Sequence, residues 1–218
     1  TTTAQNCVMI GDRAGYSQTT PSGNVAVGHD ALYYSVTGYN NVAVGDSALK
    51  GATGQSANNN TAIGDGAGLS TTTGGGNLFG GLAAGRNNTT GSYNIALGYY
   101  TSYENQTGTH NVAVGSQALK GVASTSHSYN TGLGYFAGKS ISTGTNNTAI
   151  GYQAGDAVTT GVNNTIIGND AAASSATVSN EITLGDANVT RFRIPGAGID
   201  STSAALSGTT PSVDVGAR

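Results

Sequence analysis

The sequence predicts an all-β protein, a parallel β-solenoid of eleven coils with about seventeen residues in each coil. Three observations lead to this prediction: a short phrase recurs along most of the chain, residue character alternates within it, and glycine is abundant while charge is scarce. The 218 residues include 35 Gly and no Trp, and only 9% are charged. This glycine content is more than twice the average of about 7%. Aliphatic residues recur at fixed spacing, which favours an ordered fold over a disordered linker.

The recurring phrase is NVAVG or a close variant, and each of its eleven copies ends on an anchor glycine. Successive anchors are seventeen residues apart, except for two intervals of nineteen that are associated with Ala-Leu-Lys-Gly at 48–51 and 118–121. These two sequences lie four coils apart, so four coils form a larger unit of seventy residues that is itself repeated. The anchors are Gly11, Gly28, Gly45, Gly64, Gly81, Gly98, Gly115, Gly134, Gly151, Gly168 and Gly185.

Asparagine stands four residues before the anchor in nine copies, with Cys7 and Glu181 as the terminal exceptions. Stacked coils place identical positions above one another at about 4.8 Å, so these amides are expected to hydrogen-bond as a ladder along the stack. Ten such steps predict a rod about 50 Å long. The nine residues are Asn24, Asn41, Asn60, Asn77, Asn94, Asn111, Asn130, Asn147 and Asn164.

The phrase itself has the period of two that is typical of a β-strand, with aliphatic residues on both sides of a small residue, usually Ala. The aliphatic pair is expected on one face and Ala on the other. Alanine returns three residues after most anchors, and this stretch is expected to form a second strand. Runs such as TGYNN at 37–41 predict turns, because Gly and Asn tolerate positive φ.

A single coil of this kind has a thin core, and a small apolar residue repeated along one strand face suggests close contact with another surface. Symmetric copies of the same chain are the simplest candidate. The Ala face therefore predicts an obligate oligomer, with a homotrimer expected.

The phrases Asn-Val-Ala-Val-Gly and Asn-Thr-Ala-Ile-Gly, with Ala three positions later, resemble the repeats of trimeric autotransporter adhesin heads and of tailed-bacteriophage tail fibres. The segment NEITLGDANVTRFRIPGAGID at 180–200 is similar to the one that closes such a fibre region. The resemblance covers about residues 6–200. It implies a left-handed β-roll with three chains around an axis, a repeat region over 1–190, and a closing segment and neck or linker over 191–218.

Two features depart from the adhesin pattern: the period of seventeen is longer, and no heptad stalk follows. The resemblance therefore implies a rigid fibre segment in a virion, with other fibre or baseplate proteins as partners and a host glycan or receptor as a possible target. The alternatives are the head of a bacterial surface adhesin at the cell surface, or an ice- or glycan-binding solenoid. The chain begins inside a copy, NCVMIG, which is typical of a fragment or a processed product.

Composition argues against other classes of partner. The net charge is −3 without a basic stripe, so nucleic-acid binding is not expected. No apolar run reaches the roughly 20 residues of a membrane span, and the N-terminal TTTAQN lacks the regions of a signal peptide. The single Cys7 cannot form an internal disulfide and fits a small apolar repeat position.

No catalytic, cofactor or metal site is predicted. The three histidines occupy different positions of the repeat, and a solvated turn explains His29 and Asp30 better than a metal site does. The acids that follow anchor glycines are better explained by turn formation than by acid/base chemistry. A hexapeptide acyltransferase would require an aliphatic residue every six positions, whereas here the aliphatic-Gly pair comes once in seventeen. A tail-spike glycosidase would require a groove of several carboxylates, whereas the 11 acids are scattered along the chain. Ice binding would require ranks of Thr-x-Thr in register, which are absent.

Tyrosine is the one large residue used freely, with 11 copies. Tyr99, Tyr135 and Tyr152 share the position after the anchor glycine. Exposed Tyr can stack on sugars and donate a hydrogen bond, so these three are candidate ligand contacts. The alternative is that they pack corners and seal contacts between chains.

Overall fold

The computed structural model describes residues 6–20 and 22–191, which form one eleven-stranded parallel sheet. The strands are paired in chain order, from β1 to β11, and each is three residues long. Their bounds are β1 Val8–Ile10, β2 Val25–Val27, β3 Val42–Val44, β4 Thr61–Ile63, β5 Leu78–Gly80, β6 Ile95–Leu97, β7 Val112–Val114, β8 Thr131–Leu133, β9 Thr148–Ile150, β10 Thr165–Ile167 and β11 Ile182–Leu184.

Every strand pairs with the next copy of the same phrase, at the same repeat position. Ala26 lies opposite Ala43, for example, and Val27 lies opposite Val44. The two long coils, of nineteen residues each, keep this register, because their extra residues lie outside the strands. The prediction of an all-β parallel solenoid with about seventeen residues per coil is therefore confirmed.

The chain divides into two units, Thr1–Asn188 and Val189–Arg218. The first contains all eleven strands. The closing segment and neck or linker predicted over 191–218 lie outside the described residues, apart from Arg191.

The stretch after each anchor glycine is a series of turns, so the prediction of a second strand there is wrong. After the nine anchors from Gly11 to Gly151, every second residue of the stretch has positive φ, as at Asp30 (56°) and Leu32 (52°). This alternation bends the chain back while its N–H groups still point along the stack. Asp30 N–H donates to the Asp12 carbonyl at 3.1 Å, and Leu32 N–H donates to the Ala48 carbonyl at 3.0 Å. The turns thus continue the hydrogen-bond ladder without extended backbone.

The alternation within each strand is as predicted, but the Ala face expected to contact a second chain is the inner face of the coil. The central alanines, such as Ala26, Ala43 and Ala62, are fully buried inside the single chain. The aliphatic residues beside them are half-buried or exposed, as at Val25 and Ile63. The strand forms one wall of the flattened coil, and the turns after the anchor glycine form the opposite wall. Because the opposite wall supplies buried residues of its own, in most coils only a small side chain fits inward from the strand.

Large and small residues alternate between the two walls of the interior. Phe79 replaces the central alanine of β5, and Gly68 and Gly85 stand opposite it. A Cβ added at Gly85 would lie 2.3 Å from the Phe79 ring. In the coils of Ala26 and Ala43 the equivalent position carries a buried leucine, Leu32 or Leu49. Where a coil has small residues on both sides, large side chains of neighbouring coils fill the space, as Leu49 and Phe79 do at Gly68. This sharing maintains close packing.

The anchor glycines are required by both conformation and space. Gly28 has φ 134°, which side-chain-bearing residues rarely adopt. A Cβ added there would also lie 2.4 Å from the Gly45 carbonyl oxygen of the next coil. The same two conditions hold along most of the column, which explains why the anchor does not vary in sequence.

Candidate functional site

The most regular structural feature is the asparagine ladder inside the coil. Asn94 shows its geometry: its Nδ2 donates to Asn77 Oδ1 at 3.2 Å and to the Gly108 carbonyl at 2.8 Å. Its Oδ1 accepts from the backbone N–H of Asn111 at 3.0 Å and from Asn111 Nδ2 at 2.9 Å. Each amide therefore joins its own coil to both neighbours and also holds the corner carbonyl that follows.

The ladder runs without a break from Asn24 to Asn164, and all nine side chains are buried. It ends where Glu181 N–H donates to Asn164 Oδ1 at 3.0 Å. The Glu181 carboxylate turns away and accepts hydrogen bonds from Ser174 and Thr183, and the bonds from Ser174 hold the pKa of Glu181 below its usual value. The amide ladder predicted from the sequence is present.

The outward positions of the eleven strands form a continuous uncharged surface that is mostly aliphatic, which we name the outer face. It comprises the first and third residue of every strand from β1 to β11. None of these positions carries a charge, and aliphatic residues and Thr fill all but Gly80. Ile63 is 51% exposed, and Ile95, Val114 and Ile167 are also exposed. An uncharged, mostly aliphatic strip that follows a whole sheet is unusual on a monomeric protein.

The three tyrosines predicted as ligand contacts are exposed, but only two of them come together. Tyr135 and Tyr152 stack with ring centroids 5.4 Å apart. Tyr99 lies two coils before Tyr135, and Ser116 occupies the same position in the coil between them. Tyr99 instead packs against Tyr100, at 4.4 Å between centroids. Whether any of these rings contacts a ligand stays a prediction.

A second aromatic column, which sequence reasoning missed, consists of Tyr93, His110 and Tyr129. The rings lie in three successive coils with centroids 5.1 and 5.2 Å apart, and all three residues are exposed. The signal was available, because each residue stands directly before a ladder asparagine. His110 is stacked on Tyr129 at 11° and tilted by 34° against Tyr93, and these contacts cover the ring faces that are turned toward one another. This arrangement is poorly suited to a sugar that must lie flat on a ring.

The charges near the start of the rod neutralise one another. Buried Asp30 accepts from Lys50 Nζ at 2.7 Å and lies 3.0 Å from Arg13 Nε. The hydrogen bond from Lys50 is the main cause that lowers the pKa of Asp30. His29 lies beside these groups, with Arg13 2.6 Å from its Nε2. Within 6–20 and 22–191, no three side chains of the metal-binding types come together.

The two long coils each place one polar side chain in the interior. In the first, buried Gln55 donates from Nε2 to the Leu49 carbonyl at 3.2 Å. In the second, His127 is 1% exposed, and its Nδ1 lies 3.4 Å from both Asn111 Oδ1 and Asn130 Nδ2. Its Nε2 is buried without a hydrogen-bond partner, and the Leu119 carbonyl lies near the ring. Burial lowers the pKa of His127 to about 4.

Comparison with models of protein families, with curated proteins and with solved structures found no match to this chain. The described part of the chain contains no helix with the length and apolar character needed to cross a membrane. The fold itself defines the class, a β-solenoid repeat protein, and the ladder and the outer face are its two continuous features along the rod.

Proposed function

We propose that this chain is a structural segment of a tailed-bacteriophage fibre, in which three copies form a rigid rod that supports attachment to a host. The observation that carries the proposal is the uncharged outer face, which runs along all eleven strands. The resemblance of the repeated phrase to fibre repeats supports the same role.

Rigidity is supported by the way the coils are joined. Strand pairs, turn hydrogen bonds and ladder amides connect every coil to the next, all directed along the stack. Bending the rod would open several of these bonds at once on one side. A chain of this kind is suited to hold two attachments at a fixed distance.

Trimer formation is supported by the outer face rather than by the Ala face proposed from the sequence. The alanines are covered by their own coil, so they are not available to a partner. The exposed aliphatic residues, among them Ile63, Ile95 and Ile167, remain in water in a single chain. Burial of such surface stabilises an assembly by about 25 cal/mol per Å². A closed symmetric assembly of identical rods would cover the strip along its whole length.

The test is the solution mass by light scattering, together with resistance to SDS without heating. Wild-type protein is expected at three times 21.5 kDa. Ile167→Lys, on the outer face, should reduce the mass to that of one chain, because a lysine cannot be buried unpaired. Val162→Lys is the matched control: Val162 is 37% exposed against 38% for Ile167, but it lies in the stretch before β10 and is not one of the outer-face positions. A wild-type monomer would contradict the trimer.

The head of a bacterial surface adhesin is the alternative, because the same phrases occur in both families. The reading frame beyond Arg218 separates the two. A chaperone domain or receptor tip would support the fibre, and a coiled-coil stalk with a membrane anchor would support the adhesin. A monomer with an open outer face would instead favour an ice- or glycan-binding solenoid.

A further inference from the structure

The two long coils solve the same packing problem with side chains of different chemistry. Both insert two residues after the same Ala-Leu-Lys-Gly sequence. The first long coil, 45–64, fills its widened interior with Gln55 and has Ala57 two positions later. The second long coil, 115–134, has Thr125 and His127 at these positions. One coil is therefore closed by an amide that never ionises, and the other by an imidazole.

His127 lies where a positive charge would be poorly tolerated. It is 1% exposed, and its Nδ1 is 3.4 Å from two amides of the asparagine ladder. Its backbone N–H donates to Asn105 Oδ1 at 3.1 Å, and its carbonyl accepts from Asn111 Nδ2 at 2.8 Å. The imidazole is thus part of the step that joins two coils.

Charged groups on the surrounding coils face elsewhere. Glu104 accepts from Asn87, and the His110 ring packs between the rings of Tyr93 and Tyr129. Lys139 lies over the Phe136 ring, and Lys120 belongs to the same coil as His127. Among the described residues, none of these four forms an ion pair or hydrogen bond with His127. Glu104 lies at the same corner as the ring, since a Cβ at Gly121 would be 3.4 Å from Glu104 Cβ and 3.5 Å from His127 Nε2. Its carboxylate accepts from Asn87, however, so a proton added to the ring would have no carboxylate in direct contact.

We propose that coil 115–134 is an acid-labile joint in the rod, opened by protonation of His127, and that coil 45–64 is its acid-resistant counterpart. A protonated imidazole requires hydration or an anionic partner, and the ring has only neutral acceptors beside it, Asn111 Oδ1 at 3.4 Å and the Leu119 carbonyl. The ring lies beneath the corner at Gly121, where an added Cβ would be 3.5 Å from Nε2. Exposed Val122 follows. Lifting this corner hydrates the ring and separates the ladder step between Asn111 and Asn130. The inference does not depend on the fibre role.

Hydrogen exchange followed by mass spectrometry tests the joint, with the two long coils compared in the same sample so that the intrinsic effect of pH cancels. The pKa of His127 is about 4 in the closed coil and about 6.5 once the ring is exposed to water. The protection of residues 115–134 from exchange should therefore fall 10-fold to 100-fold, relative to residues 45–64, between about pH 7 and about pH 4.5. An unchanged ratio would overturn the proposal. So would a His127 NMR resonance that titrates near its ordinary value in the folded protein.

The chain supplies its own control design. Thr125→Gln with His127→Ala converts the second long coil to the Gln55 and Ala57 arrangement of the first. This double variant should keep the fold and lose the acid response. If it does not fold, His127→Gln, which also removes the titrating group, gives the same comparison. An acid response that persists in a folded variant without His127 would refute the assignment to this residue.

Discussion

Replacement of Asn94 by alanine tests how much one ladder amide contributes to stability. The side chain makes four buried hydrogen bonds, two as donor and two as acceptor. The substitution removes all four. It also leaves the Asn111 N–H and the Gly108 carbonyl unpaired in the interior. A typical hydrogen bond contributes about 1 kcal/mol, and a buried unpaired group costs about 1–3 kcal/mol.

The expected loss is therefore about 4 kcal/mol, since the shared bonds do not add fully. For a chain of this length that corresponds to a fall in Tm of roughly 10 °C. Thermal unfolding followed by circular dichroism, at one fixed protein concentration, measures the change. Asn146→Gly is the control, because Asn146 is exposed with φ 58° and glycine occupies the same column at Gly76. The reasoning fails if Asn94→Ala melts within about 2 °C of this control.

Three further predictions use the same melting assay. Thr71→Val should raise the free energy of unfolding by about 1 kcal/mol, because the buried Thr71 hydroxyl has no hydrogen-bond partner. Thr101→Val should lower it by about 1 kcal/mol, because Thr101 Oγ1 donates to the Gly115 carbonyl at 2.7 Å. Phe79→Ala should lower the free energy of unfolding by about 3–5 kcal/mol. Adding Gly85→Leu should recover part of this loss, because it reproduces the arrangement of Ala26 and Leu32. No recovery in the double variant would contradict the packing argument. Burial holds the pKa of His127 at about 4 in the folded protein, below its value of about 6.5 in the unfolded chain. The free energy of unfolding of the wild type should therefore fall by up to about 3 kcal/mol as the pH falls from the higher to the lower value, and that of His127→Gln should fall less.

Much of the fold could be predicted from the sequence because the repeat constrains it so strongly. Eleven anchors at fixed spacing require in-register stacking, and the asparagine column then requires a ladder. The identity of the inner face could not be predicted from the phrase alone. Alternation separates Val25 and Val27 from Ala26 but does not say which set is inside. That depends on the width of the coil, which the opposite wall sets through residues such as Leu32.

The turn after the anchor was missed for a related reason. Its alanines and leucines are buried, so their pattern is compatible with a strand. The backbone there alternates between positive and negative φ, and residues as different as Arg13, Asp30 and Phe136 adopt the positive value. No residue type marks this conformation, because the hydrogen bonds between coils impose it. The aromatic column of Tyr93 and His110 was hidden similarly, since its members share a position but not a residue type.

The in-register stacking has a consequence for how the length of this rod can change. Each coil contacts only its neighbours, and a unit of four coils contains its own long coil. Removal of residues 46–115 would join Gly45 to Ser116, an anchor followed by its usual successor, and leave every remaining strand paired. Gene duplication or deletion in steps of one such unit would thus lengthen or shorten the rod by about 19 Å at a time. The number of four-coil units sets the length of the rod, and recombination between the repeats can change that number without a new fold.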